Sequence, residues 1–575
     1  MTTKRFLDRQ VPVPEGIVRV LEQAGIDMVF GMPGGQSIPI YDALYDHQQT
    51  IRTVLTREES LAGVMAEVYG RMTGKPGVCM GQAAFMLANA GLGMLEAHLA
   101  SSPLLMLTDL SDGAPFSHHG PYQAATGDYG AWDARQAFGG MTKETLIAID
   151  GASAIQQTQL AIKTALTGER GPVAICYHTA ALRQQVGPGS SPRLYPTDRY
   201  LPAGRLEADP AAVRRAADLL QRAERPVIVA GNGVRISRAF AELQRLAEAL
   251  DAPVTTTASG KGVFPETHDL ALGVFGNFGL DSANAVVGEA DLVLAVGTKL
   301  GPTDTANENP ELLDPERQSF VQVDVEPRNA AWTFPADAAV VGDAAAVLGQ
   351  LADAVQAGGA GRGRERVASV RRDIGGFEVA DPAADGGPVL PQRLIRAIQR
   401  ALPEDGIVTC DAGENRIFMT HYFQTKAPDS YLQPAAVGGM GYAIPAALAA
   451  KLVEPQRPVV AVCGDGGFAM AMNGLMTARE ERIPIAVVVF NNACLGWVLH
   501  GQRDRPIASE FAEYDHAAIA RALGCDGVHV DSLEELPRAL DLAFHADRPF
   551  VVDVATSREE TFLQVTSSLA APARA

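Results

Sequence analysis

The chain has 575 residues, more than one hydrophobic core can organise, so several domains are expected. Hydrophobic residues make up 47% and charged residues 20%, a globular composition that excludes intrinsic disorder. With 48 basic against 67 acidic residues the net charge is −19, which argues against nucleic acid or an anionic membrane as a partner; a small anion would need a local positive site.

The opening MTTKRFLDRQVPVPEG has no signal-peptide hydrophobic run, and no stretch of about 18 apolar residues is free of charged or turn residues, so a cytoplasmic protein is expected. MVFGMPGG reads as strand, turn and helix, Thr53–Thr56 as a strand, and a helix is expected from near Arg57. Two polar Gly/Pro-rich stretches read as linkers: Gly187–Gly204, and a second running from AGGAGRGRERV to Pro388. Between them, β-branched runs alternate with Ala/Leu-rich helical stretches, as in RPVIVAG, RAFAELQRLAEAL and APVTTTA. That alternation predicts an α/β protein of three doubly wound parallel-sheet domains over 1–186, 205–356 and 388–560. Cysteines 79, 176, 410, 463, 494 and 525 lack metal-ligand spacing and read as reduced thiols, with no disulfide and no zinc.

The third block carries the sharpest pattern. Strand Arg457–Cys463, the turn GDGG, a helix over AMNGLMTAREE and a strand ending at Phe490 form a βαβ unit, whose right-handed crossover puts both strand ends on one sheet edge. Gly464-Asp465-Gly466 stands at that edge, and Asn491-Asn492 follows after 24 residues. The Asp465 carboxylate, the Asn492 amide oxygen and the Cys494 backbone carbonyl are hard ligands suited to magnesium. Gly466 and Gly467 allow close backbone approach, and the helix start offers N–H groups to a diphosphate.

This arrangement resembles the diphosphate motif of the thiamine-diphosphate enzyme superfamily. Thr56-Arg57-Glu58-Glu59-Ser60 followed by LAGVMAEVYGRMTGK resembles the segment in which that superfamily places a glutamate against the cofactor's aminopyrimidine nitrogen. The resemblance makes Glu59 the catalytic carboxylate that helps the thiazolium carbon lose its proton. It departs from the common pattern at Glu58, where a histidine is usual, and at Ser60, where glutamine or similar is usual. FGMPGGQSIPIYDAL looks like the corresponding strand and turn of acetolactate synthases, which puts Gly34, Gly35 and Gln36 against the cofactor. GGMGYAIPAALAAKL resembles the segment carrying the apolar wedge, implying Gly438 and Met440 as cofactor contacts, with core packing as the alternative for Met440. Leu495 and Gly496 complete the expected cofactor set. The three blocks then correspond to pyrimidine-binding, central Rossmann-like and diphosphate-binding domains. The resemblance also implies a homodimer or homotetramer with cofactor sites between subunits, because Glu59 and Asp465 fall in different domains.

The central block is similar to a domain that holds FAD or ADP in some relatives. Gly231-Asn232-Gly233 is a nucleotide signal that ordinary strand-to-helix loops also match, and Thr298-Lys299-Leu300-Gly301 stands in place of an Arg-Phe-Asp-type pattern.

By position against acetolactate synthases, Gln123 aligns with a substrate-side glutamine and Lys143 with a basic residue near the entrance. Ala84-Phe85-Met86-Leu87-Ala88-Asn89 replaces a GPGATN-like loop, so Phe85 and Met86 should reshape the pocket. Gly501 stands where a tryptophan selects the acceptor. His118 and His119 resemble the histidine pair of pyruvate decarboxylases and are candidates for proton transfer, as is His500.

The expected reaction is non-oxidative, lyase or transferase: decarboxylation of a 2-oxo acid to an aldehyde, carboligation with a second 2-oxo acid, or cleavage of an acyloin-type compound. A 2-hydroxyacyl-CoA lyase or oxalyl-CoA-decarboxylase-like enzyme is the alternative, although the tail LQVTSSLAAPARA offers one cation, Arg574, for a CoA phosphate. A cofactor-binding protein without turnover is disfavoured by Glu59.

Overall fold

The computed structural model describes residues 5–112, 119–201, 204–356, 362–377 and 388–569. The chain divides into two compact units, Met1–Gly204 and Arg205–Ala575.

Six parallel strands form the first unit's main sheet, in spatial order Arg52–Leu55, Met28–Gly31, Gly77–Met80, Leu104–Asp109, Pro172–Tyr177 and Glu144–Ala148. In order of appearance along the chain this is 2-1-3-4-6-5. Leu104–Asp109 and Pro172–Tyr177 are buried at every position, as expected where helices cover both faces of a parallel sheet. Helix Gly151–Leu166 shows how sequence sets an element boundary. Asp150 accepts the Ser153 N–H at 2.7 Å, and the Ser153 hydroxyl accepts the Asp150 N–H at 2.9 Å.

The second unit holds two further six-stranded parallel sheets. One runs Ala271–Val274, Val254–Thr256, Pro226–Ala230, Leu292–Val296, Ser319–Asp324 and Ala338–Val341, the order 3-2-1-4-5-6. The other runs Tyr431–Leu432, Ile407–Cys410, Val459–Gly464, Ala486–Asn491, Phe550–Ala555 and Asp526–Val530, again 2-1-3-4-6-5. Arg235, fully buried, ties these two parts together. It donates to Asn232 Oδ1 and the carbonyls of Ser259 and Lys261 on one side, and to Asp429 Oδ1 and the Tyr431 carbonyl on the other. Breaking such a buried ion pair from one side would strand the other charge, so this contact also holds the edge strand of the last sheet in place.

The predicted βαβ unit forms, with two differences. The turn expected at GDGG is absent, because strand Val459–Gly464 runs straight into helix Asp465–Ala471. The helix expected over AMNGLMTAREE forms as Gly474–Glu480, and an unexpected helix, Asp465–Ala471, precedes it across a break at Met472 and Asn473. In the first unit the helix expected near Arg57 begins at Glu59 and runs to Thr73, closed by Gly74 in the left-handed region. No helix among the described residues is long and apolar enough to cross a membrane.

Candidate active site

Doubly wound sheets bind ligands at the carboxyl ends of strands where the strand order reverses. In the last sheet that point lies between Ile407–Cys410 and Val459–Gly464, and beside it is a cavity of about 360 Å³. Gly438, Met440, Gly464, Asp465, Gly466, Gly467, Asn492, Cys494, Leu495 and Gly496 all line this one cavity.

Asp465 is the first residue of its helix and almost fully buried. Its Oδ1 accepts the Gly466 N–H at 2.7 Å, whereas Oδ2 is buried with no hydrogen-bond partner among the described residues. Burial raises its carboxyl above the usual range, opposed by backbone N–H groups of Gly466 and Ala493. A buried oxygen left this way costs free energy until a cation or donor meets it. Asn492 Oδ1 accepts the Cys494 N–H at 3.3 Å and keeps a second lone pair. An orphaned carboxylate oxygen, an amide oxygen and a nearby backbone carbonyl in one cavity fit a magnesium ion that shares phosphate oxygens.

The glycines here are required by close approach. A Cβ on Gly467 would lie 2.4 Å from Asp411 Oδ2, one on Gly496 2.3 Å from Glu414 Oε2, and one on Gly466 2.9 Å from Met440 Cε. Asp411, immediately after strand Ile407–Cys410, accepts the N–H groups of Ala412, Gly441 and Tyr442 at 2.9, 3.0 and 3.2 Å. Those bonds favour its charged form, yet complete burial outweighs them and pushes its carboxyl up to about 6. Asp411 thereby fixes the loop that carries Met440.

Glu414 in this cavity, and Arg558 and Phe562 beside it, escaped sequence reasoning, whereas His500 was a candidate. Glu414, nearly buried at the start of helix Glu414–Tyr422, shares a 2.7 Å hydrogen bond with His500 Nδ1 and accepts the Phe562 N–H at 2.7 Å. His500 Nε2 lies 2.9 Å from the Arg558 carbonyl. Phe562 stacks on Trp497 with ring centres 4.0 Å apart. The glycine before Glu414, at a strand-to-helix junction, was a usable signal; Arg558 and Phe562 had none, since they meet Asn492, Ala493, Glu414 and Trp497 only through the fold.

In the first unit the strand order reverses between Met28–Gly31 and Gly77–Met80. Gly34, Gly35 and Gln36 follow the first of these, and Gly35 is left-handed, with φ +54°. A Cβ there would meet the Gln82 amide at 2.7 Å, and Gln82 Nε2 donates to Gln123 Oε1. Glu59 is 3% exposed, and Asn89 Nδ2 donates to its Oε2 at 2.9 Å. Glu58 and Ser60, the two positions that depart from the superfamily pattern, bond to each other, Ser60 Oγ donating to Glu58 Oε2 at 2.8 Å. AFMLAN forms helix Ala83–Asn89, in which Met86 is buried and Phe85 is 42% exposed. His119 is exposed and packs on Tyr129; His118 lies outside the described residues. Lys143, expected near an entrance, instead donates to the carbonyls of Thr164, Thr167 and Glu169 and caps the end of helix Gly151–Leu166.

The Gly231-Asn232-Gly233 turn lies at the reversal point of the central sheet, but its backbone is used internally. Gly231 N–H donates to Val296, Gly233 N–H donates to Gly297, and a Cβ on Gly231 would be 2.3 Å from the Gly297 carbonyl oxygen. This turn forms no open cradle for a nucleotide phosphate.

Residues 13–128 match the thiamine pyrophosphate enzyme N-terminal TPP binding domain, 213–351 its central domain and 411–554 its C-terminal TPP binding domain. A probable acetolactate synthase large subunit of Methanocaldococcus jannaschii is 32% identical, over 96% of this chain and 93% of that protein. The acetolactate synthase large subunit of Corynebacterium glutamicum is 29% identical, over 94% and 86%. A putative thiamine pyrophosphate-containing protein, YdaP, of Bacillus subtilis is 27% identical, over 95% and 92%. With three matched domains in order and end-to-end similarity of this kind, the chain belongs to the thiamine-diphosphate-dependent enzymes of the acetolactate-synthase-like group.

Proposed function

We propose that the protein is a thiamine-diphosphate- and magnesium-dependent carbon–carbon lyase or carboligase acting on a 2-oxo acid or an acyloin-type compound. The observation that carries this reading is the buried, unpartnered Asp465 Oδ2, in one cavity with Asn492 and Cys494. When bound, the cofactor supplies a carbon nucleophile and an electron sink.

The chain's own residues then divide the work. Asp465, Asn492 and the Cys494 carbonyl hold the metal, while Gly464, Gly466, Gly467 and Gly496 leave room for the diphosphate. Gly438, Met440 and Leu495 contact the cofactor, with Met440 as the wedge beneath it, and Gly34, Gly35 and Gln36 face it from the first unit. Glu59, oriented by Asn89, exchanges a proton at the aminopyrimidine nitrogen. Gln123 lies on the substrate side, and His118 and His119 are assigned to proton transfer. The reading requires no nucleotide in the central domain.

We further propose that the protein acts as a homodimer or homotetramer, each site taking Glu59 from one copy and Asp465 from another. Mixing inactive Glu59→Gln and Asp465→Ala proteins should then restore part of the activity. A cytoplasmic location accords with six buried, unpaired cysteines.

The test is titration of the apo-protein with thiamine diphosphate and magnesium by calorimetry, followed by carbon dioxide release from a panel of 2-oxo acids. Metal-dependent binding with turnover of pyruvate supports a synthase-like enzyme. Binding without carbon dioxide release redirects the search to acyloins and hydroxyacyl thioesters, and absence of binding overturns the reading.

A further inference from the structure

At the outer edge of the last sheet, strand Asp526–Val530 pairs with Phe550–Ala555, and the register sets His529 directly beside Asp553. Asp515, the residue before helix His516–Ala522, comes to the same place. One ligand atom each from Asp515, His529 and Asp553 lies within 4.8 Å of the other two. The Asp553 carboxylate is fully buried, whereas His529 and Asp515 reach the surface and leave a path from solvent. Asp531 Oδ1 lies 2.9 Å from His529 Nε2, and Asp553 Oδ2 lies 2.9 Å from His529 Nδ1. A neutral imidazole has one proton and donates to one of these carboxylates, not both. Its other nitrogen then turns a lone pair on an oxygen, a repulsion relieved by a second proton or by a metal ion. Three carboxylates thus gather around one imidazole, opposed by Arg521, 3.4 Å from Asp515 Oδ2, and by His516, whose Nδ1 is 3.1 Å from Asp553 Oδ1. The Arg521 contact is an exposed ion pair of the kind that contributes little. Backbone N–H groups orient both inner carboxylates, His516 donating to Asp553 Oδ2 at 2.9 Å and Ala518 to Asp515 Oδ1 at 2.7 Å.

We propose that Asp515, His529 and Asp553 form a second divalent-metal site, which takes zinc or a similar first-row ion and clamps the sheet's edge strand to its neighbour and to the helix start. His529 Nδ1 and one oxygen of each carboxylate are the ligands, and water completes the shell. Asp531 stands behind the imidazole as the outer carboxylate that fixes its tautomer, the arrangement metal-bound histidines favour. Zinc bonds of about 2.0–2.2 Å hold two ligands of one ion about 3–4 Å apart, so the present spacing needs small side-chain adjustments. Mixed nitrogen and oxygen ligands suit zinc better than magnesium, which prefers oxygen alone and keeps much of its water. None of the three residues lines the Asp465 cavity, so this site stands or falls independently of the proposed activity. An ion here would also tie down an edge strand whose outer side has no partner strand.

The experiment is zinc titration of the full-length protein by calorimetry, beside thermal melts with and without zinc. Wild type is compared with Asp465→Ala, which removes a ligand of the first site, and His529→Gln and Asp515→Asn are each added to Asp465→Ala. Wild type and Asp465→Ala should both show saturable zinc binding and melt higher when zinc is present. Adding either His529→Gln or Asp515→Asn should weaken zinc binding by about tenfold or more and abolish the thermal shift. Asp515 is exposed and asparagine caps a helix as aspartate does, so that variant keeps the test open if His529→Gln fails to fold. Zinc affinity unchanged by Asp515→Asn overturns the proposal, as does the absence of zinc binding in a folded Asp465→Ala protein. Either result leaves the cluster as an ion-pair network alone.

Discussion

The first and last sheets share one strand order, 2-1-3-4-6-5, yet their carboxyl ends carry different chemistry. In the last sheet the third strand passes without a turn into a helix that starts at Asp465, and one oxygen of that buried carboxylate has no hydrogen-bond partner among the described residues. In the first sheet the loop after the third strand carries Gln82, already bonded to Gln123, while the buried carboxylate, Glu59, follows the second strand and is held by Asn89. One carboxylate is left for a cation; the other is oriented by a neutral donor, as suits a group that exchanges a proton. The comparison teaches that topology supplies the place and a few loop residues decide its chemistry.

The largest effect expected from breaking this contrast is at Glu59. Glu59→Gln keeps the shape and the bond from Asn89 but removes the proton acceptor, so turnover should fall by about 10²–10⁴ with cofactor affinity little changed. Steady-state kinetics beside calorimetry would show the split, and unchanged turnover would refute the role. Asp465→Ala should do the reverse, weakening magnesium-dependent cofactor binding by about 100-fold or more while the apo-protein stays folded by circular dichroism. If affinity holds, the metal sits elsewhere.

Smaller effects probe the glycine loops. Gly467→Ala forces a Cβ to within 2.4 Å of Asp411 Oδ2 and should cost about 1–3 kcal/mol in denaturant unfolding. Gly34→Ala in the first unit meets nothing nearer than 3.5 Å, and its φ of −171° suits any residue, so a change within about 0.5 kcal/mol is expected. The smallest effect is a pH dependence. The Asp411 carboxyl is raised from 3.8 to about 6, so its contribution to apo-protein stability is fully present below about 3.8 and is lost as pH rises through about 6. Urea midpoints across that range should show a smaller loss in Asp411→Asn than in wild type, the remainder being carried by Asp304, whose buried carboxyl is also raised to about 6.

Much of this was legible in the chain itself, for local reasons. Asp465 and Asn492 could be paired because a βαβ unit has a nearly fixed length, and right-handed crossover puts both strand ends on one edge. Glu59 could be placed at a helix start from the end of strand Arg52–Leu55 and the apolar periodicity after it. The turn predicted at GDGG failed because glycine marks close approach as readily as a turn: at Gly467 the neighbour is Asp411, more than fifty positions earlier in the chain. Alignment by position put Lys143 near an entrance but could not show its partners, the carbonyls of Thr164, Thr167 and Glu169, because those are set by the fold.

By itself, then, the sequence determined the three parallel sheets and the hard-ligand motif, because hydrophobic periodicity and motif spacing are written in consecutive residues. Only the tertiary structure decided that Glu414 pairs with His500, and that Phe562 donates its N–H to Glu414 while its ring closes on Trp497. Those contacts join segments up to 148 positions apart, and no local pattern encodes which distant side chains folding will bring within hydrogen-bond reach.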